Sequence, residues 1–144
     1  MATAPELIED GRKARAEHRL EDARRLYSDA AALYREDNNP LAYAHTIRHI
    51  ADMFLDESDY ASARPLYEEA LQLYRKNHNT KVLDLANAVR PYALLHEKIG
   101  DAQNARLLWQ EARGLYASLR IEPGVDECDR RLAGLDSSAP PTST

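Results

Sequence analysis

Two histidines, His45 and His49, stand four residues apart, and Asp52 follows three residues later. On a helix that spacing puts both imidazoles on one face, where the three side chains together could chelate a first-row transition metal. A polar helix face that happens to hold two histidines explains the same pattern, and no fourth ligand is evident. His96-Glu97 opens like a zinc-protease helix, but residue 100 is glycine where the second histidine would stand. The lone cysteine, Cys128, falls on the apolar side of a short helical pattern, which suits a small packed residue better than a nucleophile. The five glycines are isolated and build neither GxGxxG nor GxxxxGK. No catalytic set, metal site or cofactor is therefore expected. The chemistry that remains is recognition, and its best candidates are Arg48 and Arg90. Each directly follows an apolar residue, Ile47 or Val89, and an arginine fork suits a carboxylate.

The chain that must position these residues has 144 amino acids, enough for one domain. Twenty-three alanines against thirteen Val, Ile and Thr residues favour helices over sheets. A net charge of −5 argues against general nucleic-acid binding. No apolar run is long enough to span a bilayer, and Met1 leads into Ala-Thr-Ala-Pro-Glu without the basic and apolar regions of a secretory leader. With a single cysteine there is no internal disulfide to form, so the expected location is a reducing cytoplasm.

Three segments, His18 to Arg35, Ser58 to Arg75 and Gly100 to Ala117, align without gaps. The first and second agree at eight of eighteen positions, as do the second and third. Their shared frame is Ala-Arg-x-Leu-aromatic-x-x-Ala-x-x-Leu-Tyr, and it starts at Ala23, Ala63 and Ala105, offset by 40 and then 42 residues. Apolar residues at three- and four-residue steps, such as Leu66, Ala70, Leu73 and Tyr74, make each segment a helix. Asp59 and Asp101 stand where N-caps belong. A second helix precedes each segment, with stripes Ile47, Ile50, Ala51, Phe54 and Val89, Tyr92, Ala93, His96. The links Glu57-Ser58-Asp59 and Ile99-Gly100-Asp101 are short enough to force antiparallel neighbours. Alanines at fixed positions let two backbones approach, while Tyr67 and Trp109 fill the space beside them.

These residues resemble the tetratricopeptide repeat. Ala63, Tyr67 and Ala70 match the family's second-helix signature, and Ile50, Ala51 and Phe54 match its first-helix pattern. The likeness covers roughly residues 6 to 120. The repeat is longer than the usual 34 or so residues and lacks the closing proline, which is similar to the long-repeat variety of kinesin light chains and some bacterial regulators. The expected fold is all-α: an α-solenoid of about three antiparallel hairpins with a short C-terminal capping helix. Residues 1–135 would form one domain, with repeats at about 4–36, 41–77 and 82–118 and the cap at about 123–135. Residues 136–144 would be a disordered tail. The leading helix, near Glu6 to Ala16, carries Asp10 and Gly11 where its sisters carry buried groups, so a polar N-terminal cap is expected there.

Such a solenoid implies a non-catalytic scaffold that takes a peptide or helix of a partner in its concave groove. The groove positions on the two later first helices are His45, Arg48, His49, Asp52 and Asp56, and then Asn87, Arg90, Leu94 and Glu97 or Lys98. Two roles are open for Arg48 and Arg90: a ladder that grips an acidic partner, or internal bridges to Asp52 or Asp129. The family's carboxylate clamp is not reproduced, since Ile8 and Pro91 fall where it wants polar or basic groups. Pro91 should also bend its helix and free the Asn87 carbonyl. The competing functional reading is a self-association module that forms a homodimer. A metal or small-ligand sensor built on His45 and His49 comes third.

Overall fold

The computed structural model describes residues 1–138, so positions 139–144 of the expected tail lie outside the described residues. There is no strand among the described residues. The helices are α1 (Ala4–Ala16), α2 (Leu20–Glu36), α3 (Pro40–Asp56), α4 (Tyr60–Lys76), α5 (Val82–Lys98), α6 (Ala102–Ser118) and α7 (Glu122–Ser138). They form two compact units, divided between Thr80 and Lys81. In the first unit α1 pairs with α2 and α3 with α4, and α2 packs on α3; in the second α5 pairs with α6, and α7 lies against α6. This is the all-α hairpin architecture of a tetratricopeptide-like α-solenoid.

The helix boundaries follow from local chemistry. The Ser62 and Asn104 amides each donate to the side chain of the aspartate three residues earlier, Asp59 and Asp101, at 3.2 Å. The Ala42 amide donates to Asn39 in the same way at 3.3 Å. Five turns end on a residue with positive φ: His18, Asn38, Ser58, Gly100 and Arg120. After each, the next amide reaches back five residues, as in Arg19 N to Ala14 O, Asp59 N to Phe54 O and Asp101 N to His96 O, all 2.8 Å. This left-handed closure reverses the chain within three residues. Only Gly100 adopts it without a Cβ penalty. The link after α4 is built differently. Asn77 there is extended (ψ 117°), its side chain accepts from the Asn79 amide at 2.9 Å, and the Thr80 hydroxyl donates to Tyr74 O at 2.7 Å.

Packing rests on large residues set against small ones. Tyr67 and Trp109 are fully buried, as are Ala51, Ala63 and Ala70 in the first unit and Ala93, Ala105 and Ala112 in the second. The first copy keeps the rule with a smaller residue. Gly11 occupies the repeat position of Ala51 and is buried, and a Cβ built on it would meet the Tyr27 ring at 3.3 Å. The polar cap expected for α1 is thus only half right: Asp10 faces solvent, but Gly11 is a packing residue.

The last helix departs from expectation as well. It is 17 residues long, the length of each helix from α2 to α6, and runs through Ser138. Asp136, Ser137 and Ser138 continue the helix, and Asp136 pairs with Arg106 at 3.1 Å, so those three residues are helical rather than tail. Its first turn lies flat on an aromatic ring, since a Cβ on Gly124 would fall 2.5 Å from Tyr116 Cγ.

Two substitutions test this packing. Ala63→Leu should cost about 1–3 kcal/mol by overpacking, whereas Ala61→Leu, on the exposed side of the same helix, should be neutral in urea unfolding. Gly124→Ala should destabilise in the same assay, because the Tyr116 ring has to move; an unchanged midpoint would contradict the α6–α7 contact.

Candidate functional site

Spacings of three and four residues along α3 bring His45, Arg48, His49, Asp52 and Asp56 onto one side of the helix in the first unit. Arg48 Nη1 donates to Asp52 Oδ2 at 2.7 Å, and the Tyr67 hydroxyl donates to the other oxygen, Oδ1, at 2.5 Å. Burial pushes the Asp52 carboxyl above its ordinary range, against the pull of Arg48 and Tyr67. Asp56 accepts from Arg15 of α1 at 2.9 Å. His49 stacks on Tyr27 with ring centroids 5.8 Å apart, and His45 meets it edge-on at 4.7 Å. Burial, reinforced by the positive charges of Arg48 and His45, lowers the His49 pKa to about 3. Its imidazole is therefore neutral at every ordinary pH.

In this arrangement Asp52, the third side chain of the constellation with His45 and His49, is engaged by Arg48 and Tyr67. Among the described residues no group of three or more His, Cys, Asp or Glu side chains could hold a metal ion. His96, in the second unit, is buried, with Nδ1 3.2 Å from Asp101 Oδ2 and its ring edge-on to Tyr92. Burial also pushes the Cys128 thiol up to about 11, which keeps it protonated and poorly nucleophilic.

In the second unit Asn87 Oδ1 accepts from the Tyr116 hydroxyl at 2.8 Å. Arg90 makes a two-pronged bond to Glu127 of α7, at 2.6 and 2.8 Å. Leu94 is half-buried and Lys98 exposed. Pro91 is buried inside α5, which continues as one helix through Lys98. Both arginines are thus bonded internally, and the expected partner is right for only one. Asp129 belongs to Arg113 at 2.6 Å, not to Arg90. Glu127 and Asp129 are two residues apart, about 200° around a helix, so one faces α5 when the other faces α6. The two arginines differ because Arg48 finds a carboxylate one turn on, Asp52, whereas the residue one turn beyond Arg90 is Leu94. At the matching position of the first copy, Ile8 packs on the core around Tyr27 and Ile50.

Sequence reasoning missed the polar ends of the buried aromatics. Tyr67 holds Asp52, and Trp109 Nε1 donates to Glu97 Oε2 at 2.5 Å, which turns Glu97 toward α6. Arg131 of α7 stands 3.7 Å from Glu97 and 5.8 Å from the centre of the Trp109 ring. The signal was present, because a fully buried Tyr or Trp needs an acceptor. A cleft of about 280 Å³ between α2, α4 and the start of α3 was also missed. Arg35, Tyr43 and Glu69 line it, with Arg35 over the Tyr43 ring and the Tyr43 hydroxyl donating to Glu69 at 2.7 Å.

No protein-family model matches the chain, and no curated protein matches it in sequence. Among solved structures the chain is similar to the crystal structure of BtubC (BKLC) from P. vanneervenii. The TM-score is 0.68 and the identity 13%, over 98% of this chain and 67% of that one. The likeness shows the fold, a helical-repeat protein. No helix among the described residues is long and apolar enough to cross a membrane.

The α3 network makes two forecasts. Arg48→Gln strands a buried carboxylate and should cost about 1.5–3 kcal/mol, more than Arg90→Gln at a side chain that is 40% exposed. Equal losses in urea unfolding would contradict the network. For His49, the unfolded chain binds a proton near pH 6.5 while the folded chain does not until about pH 3. Stability from this group is therefore whole above pH 6.5 and drains away as pH falls, by about 2 kcal/mol at pH 5. His49→Gln should flatten the stability profile between pH 7 and 5; a profile with unchanged slope would show that His49 titrates normally.

Proposed function

We propose that this protein is a non-catalytic interaction scaffold that receives a peptide or helix of another protein on its first-helix faces. The observation that carries the reading is the helical-repeat fold, in which α3 and α5 offer polar side chains at matching positions. His45, Arg48, His49, Asp52 and Asp56 supply one row; Asn87, Arg90, Leu94 and Lys98 supply the other. Preformed helical surfaces of this kind bind extended or helical segments with little rearrangement. The Arg90 fork, held by a carboxylate of another helix, suits an acidic segment. The lone thiol of Cys128, buried and protonated, fits a reducing cytoplasm. Self-association is the second reading, favoured by exposed apolar side chains at Leu107 (58%), Leu83 (42%) and Val82 (40%).

A peptide selected from a displayed library against the labelled protein tests the first reading. Amide shift changes should centre on α3 and α5, at His45, His49, Asn87 and Leu94. Changes confined to α2, α4 and α6 would refute the site. A concentration-dependent dimer in light scattering, weakened by Leu107→Glu, would support self-association instead.

A further inference from the structure

The helix α7 enters from α6 through the same left-handed turn that precedes α3, with Arg120 at φ 57° and Ile121 N bonded to Tyr116 O at 3.0 Å. It lies where the first helix of another hairpin would lie, but it is held differently from α3. In α3 the residues Ala44, Thr46, Ile47, Ile50, Ala51 and Met53 are buried. In α7 the buried residues are Cys128 and Leu135 among those described, with Val125 and Leu132 half-covered.

Ion pairs accompany the thinner apolar contact. Four ion pairs tie α7 to the α5–α6 hairpin: Arg90–Glu127 at 2.6 Å, Arg113–Asp129 at 2.6 Å, Arg106–Asp136 at 3.1 Å and Glu97–Arg131 at 3.7 Å. Three of them set an arginine of the hairpin against a carboxylate of α7. Arg90 beside Glu127 holds that carboxyl below its usual range. Pairs as exposed as Arg113–Asp129 and Arg106–Asp136 contribute little and weaken in salt.

We infer that the α5–α6 hairpin is a receptor for an acidic amphipathic helix and that α7 is its built-in, displaceable ligand. The pattern the receptor reads is written in α7: apolar residues at 125, 128, 132 and 135, with carboxylates at 127, 129 and 136. A partner helix with that pattern takes the place of α7 and inherits its contact to Arg90. The inference rests on the scaffold reading and adds to it the chemistry of the partner and a gate. Arg90 is open to an acidic helix only when Glu127 has let go. Release starts at the Ser138 end, because the opposite end is pinned by Gly124 on Tyr116.

The single tryptophan makes the exchange visible. Trp109 is fully buried, and Arg131 of α7 lies over its ring. The probe is a labelled synthetic peptide with the sequence of Glu122–Ser138, titrated into the full chain. Asp129→Asn with Asp136→Asn in the chain weakens only exposed pairs of α7. That variant should bind the peptide several-fold more tightly than the wild type does, and added salt should loosen the complex. The same peptide carrying Glu127→Gln, Asp129→Asn and Asp136→Asn should bind at least about tenfold more weakly. A peptide with Arg131→Ala should change Trp109 emission on binding, since it replaces α7 without restoring the cation.

Equal affinity for both chains, no binding to either, or binding of the Arg131→Ala peptide that leaves Trp109 emission unchanged would overturn the inference. Should the variant misfold, hydrogen exchange of the wild type decides: α7 amides should exchange at least about tenfold faster than those of α5, and equal rates would overturn it. A dimer that the peptide splits into monomers would make a second copy the occupant and overturn the assignment to a separate partner. The probe comes from the chain itself, so an immovable α7 is told apart from a scaffold without a partner, which fails in the library selection.

Discussion

A bulky aromatic of the second helix lying against a small residue of the first is the contact on which the hairpins depend. Gly11 lies against Tyr27, and the pair recurs at the repeat positions of Ala51 with Tyr67 and Ala93 with Trp109. Close approach of two helices excludes water, and that exclusion gives the aromatic's polar end its consequence. The Tyr67 hydroxyl and the Trp109 N–H, once buried, must find acceptors, and they take Asp52 and Glu97 from the first helix. Each carboxylate then requires a cation, which Arg48 supplies in one unit and Arg131 in the other. One steric rule thus sets an electrostatic one, and the polar faces of α3 and α5 are shaped from beneath by their own core.

Repeat equivalence fixes where a side chain starts but not where it ends. Arg48 and Arg90 leave the backbone at the same position, yet one closes on its own helix and the other crosses to α7. The difference traces to a neighbour, Asp52 against Leu94. The charge of Arg48 is therefore fixed by a local pair that the helix itself provides, whereas that of Arg90 depends on an element that has to dock. A binding site built on Arg90 is conditional in a way that one built on Arg48 is not.

Turn chemistry explains why the hairpins are so regular. Left-handed residues at His18, Asn38, Ser58, Gly100 and Arg120 reverse the chain with one hydrogen-bond pattern, even though four of the five carry a Cβ. The strain at such positions, on the order of 1 kcal/mol for a residue with a Cβ, is offset by the packing it permits. The link after α4 departs from that pattern and coincides with the division of the chain into two compact units.

The sequence by itself determined the helices, the hairpin turns, the aspartate caps at Asp59 and Asp101, and the apolar stripes down to the burial of His96. Those features are local: propensity, period and capping act over three or four residues and repeat with the frame. It also limited Arg48 to a short list of partners, because Asp52 lies one turn away. Only tertiary structure decided that Glu127 rather than Asp129 meets Arg90, that Glu97 turns inward to Trp109, that Gly11 packs on Tyr27, and that α7 runs on through Asp136 to Ser138. Each of these depends on how one helix is rotated against another. A shift of two residues is about 200° of that rotation, so choices between neighbouring side chains are settled when the cores interlock, and a composition or spacing pattern does not carry that angle.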